Sequence, residues 1–316
     1  MGAVMKLSRR VAIGGLLGVA PFAASNAWGQ EPDDITPMVL DSWTDTYGRP
    51  TASVMLNGKG PFSFLVDTGS TSTVVTERIA RSLGIEPLGR LTVIGGTGTS
   101  VSPYGVVEML ETGAVARKEL RVAIMPERNL ARGDGILGAD VFTGKRLVFG
   151  IRDKLVRVEP SRRTGAGAVR SNMRLRQGML AEIDGRVGRV ATRLILDTGA
   201  DFCIGNPALG RTLQAAYPRL DRIPRVRITG ITGHKVVGEL AALPRIDARA
   251  FTVEDSSAVI ADDQIFKLWE LEDEPAMIVG VDLLSRLESF SIDYGARMFD
   301  ATLLSQLIAR NPALLG

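Results

Sequence analysis

One cysteine and one histidine are all that 316 residues supply of either type. Cys203 therefore cannot form an internal disulfide, and a Cys/His metal site would need more donors than these two residues offer. A Ser-His-Asp triad would have to use His234, and no Gly-x-Ser-x-Gly elbow accompanies it. Neither a metal nor a cofactor is expected. Long apolar runs are also missing beyond the N-terminus; the body of the chain carries short ones, broken by turn signals every ten or so residues. What remains for chemistry is carboxylates.

The N-terminus reads as a targeting segment. Lys6, Arg9 and Arg10 precede an apolar run over 11–24, and small residues at Ser25, Ala27 and Gly29 offer cleavage after Ala27 or Gly29. The run is too short and glycine-rich for a transmembrane helix, so no stable membrane span is expected once residues 1–29 are removed. Ser8-Arg9-Arg10 resembles a twin-arginine signal, although Ala12 stands where that motif carries a bulky apolar residue; general secretion stays equally open. No cysteine lies near the cleavage region, which argues against a lipoprotein. A periplasmic or secreted protein is expected. The segment holds three cations and no acid, so its removal takes the formal charge from +3 to about zero. A nucleic-acid partner inferred from the basic balance loses its support.

Two triplets stand out against this background. Phe64-Leu65-Val66-Asp67-Thr68-Gly69 is echoed 130 residues later by Leu194-Ile195-Leu196-Asp197-Thr198-Gly199. A lone strand-end Asp-Thr-Gly is more often a turn than a reactive loop, but the surroundings repeat as well. Asn57-Gly58 and Asp184-Gly185 read as hairpin turns ahead of each triplet. Ile136-Leu137-Gly138-Ala139-Asp140 begins 69 residues after Asp67, and Ile278-Val279-Gly280-Val281-Asp282 begins 81 after Asp197. Strand-like stretches follow each, at 146–158 and 289–299. One unit has been used twice. A carboxylate at the mouth of a buried strand is costly to desolvate alone, and two in repeated halves suggest a facing pair.

The whole reads as an all-β protein with short helices, built as a two-lobed, double β-barrel with pseudo-two-fold symmetry. The expected order is a signal peptide (1–29), a first lobe (30–160), a linker (161–178), a second lobe (179–300) and a C-terminal helix or tail (301–316). Thr76 is placed to cap a helix over Glu77–Leu83 with Gly84 as its stop, and 301–309 has a helical pattern. The Arg-, Gly- and Ser-rich stretch 159–178 has no clean period, so its arginines read as solubilising. The acidic stretch 254–274 reads as an exposed loop with Phe266, Leu268 and Trp269 tucked onto the lobe.

These motifs resemble those of the aspartic peptidases. The likeness is carried by Asp67-Thr68-Gly69-Ser70-Thr71, by Asp197-Thr198-Gly199-Ala200-Asp201 and by the two apolar-apolar-Gly turns. It covers nearly all of residues 50–300. The resemblance implies one catalytic Asp from each lobe, Asp67 and Asp197. It also implies that Thr68 and Thr198 lock the loops together, with Gly69 and Gly199 turning the backbone so that N–H groups face the carboxylates. Two glycine-rich hairpin tips, Gly95-Gly96-Thr97-Gly98 and Gly230-Ile231-Thr232-Gly233, look like substrate-binding flaps. Pepsin-like members have one flap, bearing a Tyr; Gly95 stands at that position here. The closer likeness is to a retropepsin dimer fused into one chain.

The implied reaction is hydrolysis of a peptide or unfolded protein by a water held between the two carboxyls, in a monomer. Ser70 can donate a hydrogen bond whereas Ala200 cannot, which would make Asp67 the ionised partner and Asp197 the proton carrier; the other reading is a pair that titrates as a unit with no fixed assignment. The alternative is a catalytically silent periplasmic peptide-binding or assembly protein on the same fold.

Overall fold

The computed structural model describes residues 38–40, 42–45, 48–95, 98–113, 115–130, 133–162, 170–230 and 235–302. The expected targeting segment, the centre of the linker, residues 96–97 and 231–234 of the two flap tips and the tail beyond Thr302 lie outside the described residues.

The first lobe starts with the hairpin Pro50–Leu56 and Lys59–Val66. Its turn is Asn57-Gly58, both at positive φ (50° and 71°), as an Asn-Gly pair between strands of alternating burial requires. Lys59–Val66 then pairs in parallel with Gly135–Leu137, which pairs with Val74–Thr76. From there the ladder runs through Val115–Met125 to Gly98–Thr112, and the latter returns onto Pro50–Leu56. Six strands thus close into a barrel around Val54, Phe64, Val107 and Leu137. The helix Glu77–Leu83 has the expected ends. Thr76 accepts the Ile79 N–H (3.3 Å), and Gly84 closes it in the left-handed region.

The second lobe repeats this path but does not close. Leu180–Val187 and Val190–Leu196 form its hairpin, and Ala276–Val279, Ile204–Gly205, Ser256–Ile260, Lys235–Leu243 and Arg222–Thr229 follow in the sheet. On its other side, Leu180–Val187 takes up Ile246–Ala248. The expected Asp184-Gly185 turn is therefore corrected: both residues lie inside a strand, and the turn is Gly188-Arg189. Gly185 is needed there because a Cβ would collide with the Leu194 side chain. Asp184 faces outward, where it meets Arg174 and Arg193. The helix Pro207–Ala216, capped by the buried Asn206, went unread in the sequence despite its Asn-Pro start.

A third layer joins the halves. Lys145–Gly150 pairs antiparallel with Ser289–Asp293, flanked by Leu155–Pro160 and Met38–Leu40 on one side and Met298–Thr302 and Arg170–Arg176 on the other. Phe149 stacks on Phe290 at 4.5 Å between ring centres, so the junction is a packed core as well as a ladder.

Two more expectations change here. Within the expected linker, Arg170–Arg176 is a strand. Ser171 and Met173 point inward, while Arg174 and Arg176 bind Glu182, a carboxylate with 1% of its surface exposed. Those arginines neutralise a buried charge rather than only solubilising the chain. At the C-terminus, Ala301 and Thr302 belong to the strand Met298–Thr302 and not to a helix; the rest of 301–316 lies outside the described residues. The stretch 254–274 is not the expected exposed loop: Ser256–Ile260 is a strand inside the sheet. Phe266 and Trp269 are tucked into the second lobe, as expected, on the short helix Gln264–Leu268 and its C-terminal cap.

Candidate active site

Each triplet begins where a strand leaves the sheet. The Asp67 N–H bonds the Leu137 carbonyl and the Asp197 N–H bonds the Val279 carbonyl, both at 3.0 Å. The loops then fold back alike: Ala139 N–H to Ser70 O (2.8 Å) and Val281 N–H to Ala200 O (2.9 Å). Gly138 and Gly280 are fitted to this approach. A Cβ on either would lie 2.6 Å from the backbone carbonyl carbon of Ser72 or Phe202.

Four hydrogen bonds tie the two loops to each other. The Thr68 hydroxyl donates to Leu196 O (2.9 Å) and accepts the Thr198 N–H (3.1 Å). The Thr198 hydroxyl donates to Val66 O (2.6 Å) and accepts the Thr68 N–H (3.1 Å). Only a residue with both a donor and an acceptor on one short branch can do this. Gly69 and Gly199 must lack side chains, because a Cβ on either would overlap the carboxyl group of the opposite Asp. The two carboxyls thus face each other across the junction, fully buried.

The hydrogen bonds around them are unequal. Among the described residues, Asp67 Oδ1 accepts one backbone bond, from the Gly69 N–H (2.9 Å). Asp197 Oδ1 accepts the Gly199 N–H (2.8 Å) and the Ala200 N–H (3.2 Å). Burial, and then the charge of Asp197, hold the Asp67 carboxyl well above the usual carboxylate range. Burial also raises Asp197, but only to about 6, because the facing Asp67 carboxyl and two backbone N–H groups favour its charged form. The bond on which the expected assignment rested is not formed. Ser70 does not donate to Asp67; its hydroxyl bonds the Ser72 carbonyl at 2.8 Å. Two backbone N–H groups face Asp197 against one at Asp67, and these dipoles favour the negative charge on Asp197.

Several supporting residues escaped the sequence reading. Arg49, 5% exposed, donates to Gly199 O (3.2 Å) and is paired with Asp45 (2.6 Å) and Asp201 (3.3 Å). It places a cation from the first lobe against the second lobe's loop. Its partner lies 150 residues away, so no local pattern announces it. Asp140 accepts both the N–H and the hydroxyl of Thr73 at 2.9 Å, and burial raises it to about 6. Asp282 accepts the Cys203 N–H (3.2 Å) and its S–H (3.3 Å) in the matching place. The repeated Gly-x-Asp after each apolar pair was the available signal for these two.

The flap readings divide. The first hairpin is formed as far as Gly95 opposite Gly98, and the second as far as Thr229 opposite Lys235, with Gly230 buried beside it. Gly96, Thr97, Ile231, Thr232 and Gly233 lie outside the described residues, as does His234.

A family profile described as aspartyl protease matches residues 52–141 and 181–283, one stretch in each half. No characterised protein matches the chain significantly. The matched stretches make up more than half of the sequence and contain both triplets and both glycine turns, and the chain belongs to the aspartyl protease family.

Proposed function

We propose that the protein is an exported, single-chain aspartic endopeptidase acting on extended segments of peptides or unfolded proteins. The observation that carries this reading is the pair of facing, buried and electrostatically unequal carboxyls, held by reciprocal threonine bonds. Two such groups share one proton over a broad pH range, since ionising both would place like charges side by side in a low-dielectric site. The Asp197 carboxylate takes a proton from the attacking water while the Asp67 acid donates to the carbonyl oxygen of the scissile bond. A tetrahedral diol results; as its C–N bond breaks, the proton gained by Asp197 passes to the departing nitrogen and a diol hydroxyl returns a proton to Asp67. The two glycine-tipped hairpins supply the elements that fold over a bound chain. The N-terminal signal supports a periplasmic or secreted site of action.

The test uses residues 30–316 incubated with an unfolded protein between pH 3 and 7. Asp67→Asn and Asp197→Asn should each lower turnover by about three orders of magnitude or more while keeping a cooperative melt. Wild-type protein that binds peptide tightly and never cleaves it, across that range, would refute the proposal.

A further inference from the structure

A cavity of about 60 Å³ lies beneath the second triplet loop, at the junction of the halves. Phe149, Ile151, Val281, Leu284 and Phe290 form apolar walls, and Thr198 reaches it from the loop above. Its size suits a branched aliphatic side chain.

The pseudo-symmetry explains why it is there. Ile151 donates its N–H to Glu288 O (3.1 Å), and Tyr294 donates its N–H to Lys145 O (2.9 Å). Lys154 and Arg297 take the same left-handed backbone three residues further on (φ 52° and 54°). Ile151 and Tyr294 are thus counterparts. In one half the position carries a buried aromatic ring, and in the other the smaller isoleucine borders the cavity.

The chain itself leads to this place. Thr302 O accepts the Glu288 N–H (2.9 Å), and Thr302 pairs with Ser289, which pairs with Gly150 beside Ile151. After it come Leu303, Leu304, Leu307 and Ile308, spaced as one apolar stripe of a helix, with Ser305, Gln306 and the small Ala309 on the other side. We propose that the segment 303–309 docks over this cavity and inserts a leucine from that stripe, buttressing the loop that carries Asp197. The segment would supply from the chain's own tail the volume that Tyr294 supplies in the other half.

Amide hydrogen exchange of the full chain tests this without reference to cleavage, so its outcome is separate from that of the proposed activity. Amides of 303–309 should exchange at least ~10-fold more slowly than in the free peptide of the same sequence. Ile151→Trp, which fills the cavity, and Leu304→Asp with Leu307→Asp, which leave every described residue unchanged, should each restore the free-peptide rate. Strand Ser289–Asp293 should stay protected in both. Free-peptide exchange in the wild-type chain would overturn the proposal. So would protection that survives Ile151→Trp in a folded protein, which places the tail elsewhere. Protection that rises with protein concentration would assign the cavity to a second copy, and the proposal would also fall.

Discussion

The four bonds between Thr68 and Thr198 make a quantitative demand. Thr198→Val keeps the branched shape and removes one hydroxyl, so cavity formation contributes little. Two bonds disappear: the one donated to Val66 O at 2.6 Å and the one accepted from Thr68 N–H at 3.1 Å. Both remaining partners are buried at the junction, where an unpaired polar group costs about 1–3 kcal/mol. The expected loss is therefore about 2–6 kcal/mol. Thr68→Val should cost a similar amount, since it orphans Leu196 O and Thr198 N–H in the mirror arrangement. Thr112→Val is the internal control. It removes a single bond, to Ser53 O at 2.9 Å inside one lobe, and should cost about 1 kcal/mol. Urea unfolding followed by circular dichroism and by fluorescence of the buried Trp269 would measure all three. With a slope of about 3 kcal/mol/M for a chain of this size, either loop variant should move the midpoint down by about 0.7–2 M. Loop variants no less stable than Thr112→Val, at unchanged slope, would refute the claim that these bonds join the lobes.

Asp140 is raised to about 6 in the folded protein against about 3.9 in the unfolded chain, so the folded form binds more protons between those values. Its contribution lowers stability as pH rises through that window and then levels off, by roughly 2–3 kcal/mol in total. Asp140→Asn should flatten that part of the profile; melting curves from pH 4 to 7 with an unaltered fall would count against it. Arg49→Met removes a cation that lowers the Asp67 pKa, so the basic limb of the pH–rate profile should move to higher pH, and a limb that stays put contradicts the role. Ser70→Ala should leave both limbs where they are, because the hydroxyl serves Ser72 O; a displaced acidic limb would restore the discarded assignment.

Local sterics and local repetition were enough for much of this molecule. Asn57-Gly58 is a turn wherever it sits between such strands, and Thr76 caps a helix with the residues next to it. The repeated Asp-Thr-Gly and apolar-apolar-Gly motifs carry their geometry in a few consecutive residues. That is why the two-lobed, mostly β architecture and the facing pair could be read directly. The misreadings share one cause. Gly185 was taken for a turn because nothing nearby reveals that Leu194 would fill the space of a Cβ. Arg170–Arg176 looked like linker because the carboxylate that makes its arginines useful, Glu182, is supplied by the next strand. Ser70 was credited with a bond that its loop geometry directs to Ser72.

The sequence by itself determined that two carboxyls, one per half, come to equivalent places, because duplication repeats every local instruction. Only the tertiary structure decided that the places are unequal. Ala200 N–H reaches Asp197, and Arg49 arrives beside the second loop from the far side of the chain. Proton affinity in a buried pair depends on which dipoles and charges lie within a few ångströms, and those neighbours are set by folding rather than by adjacency along the chain.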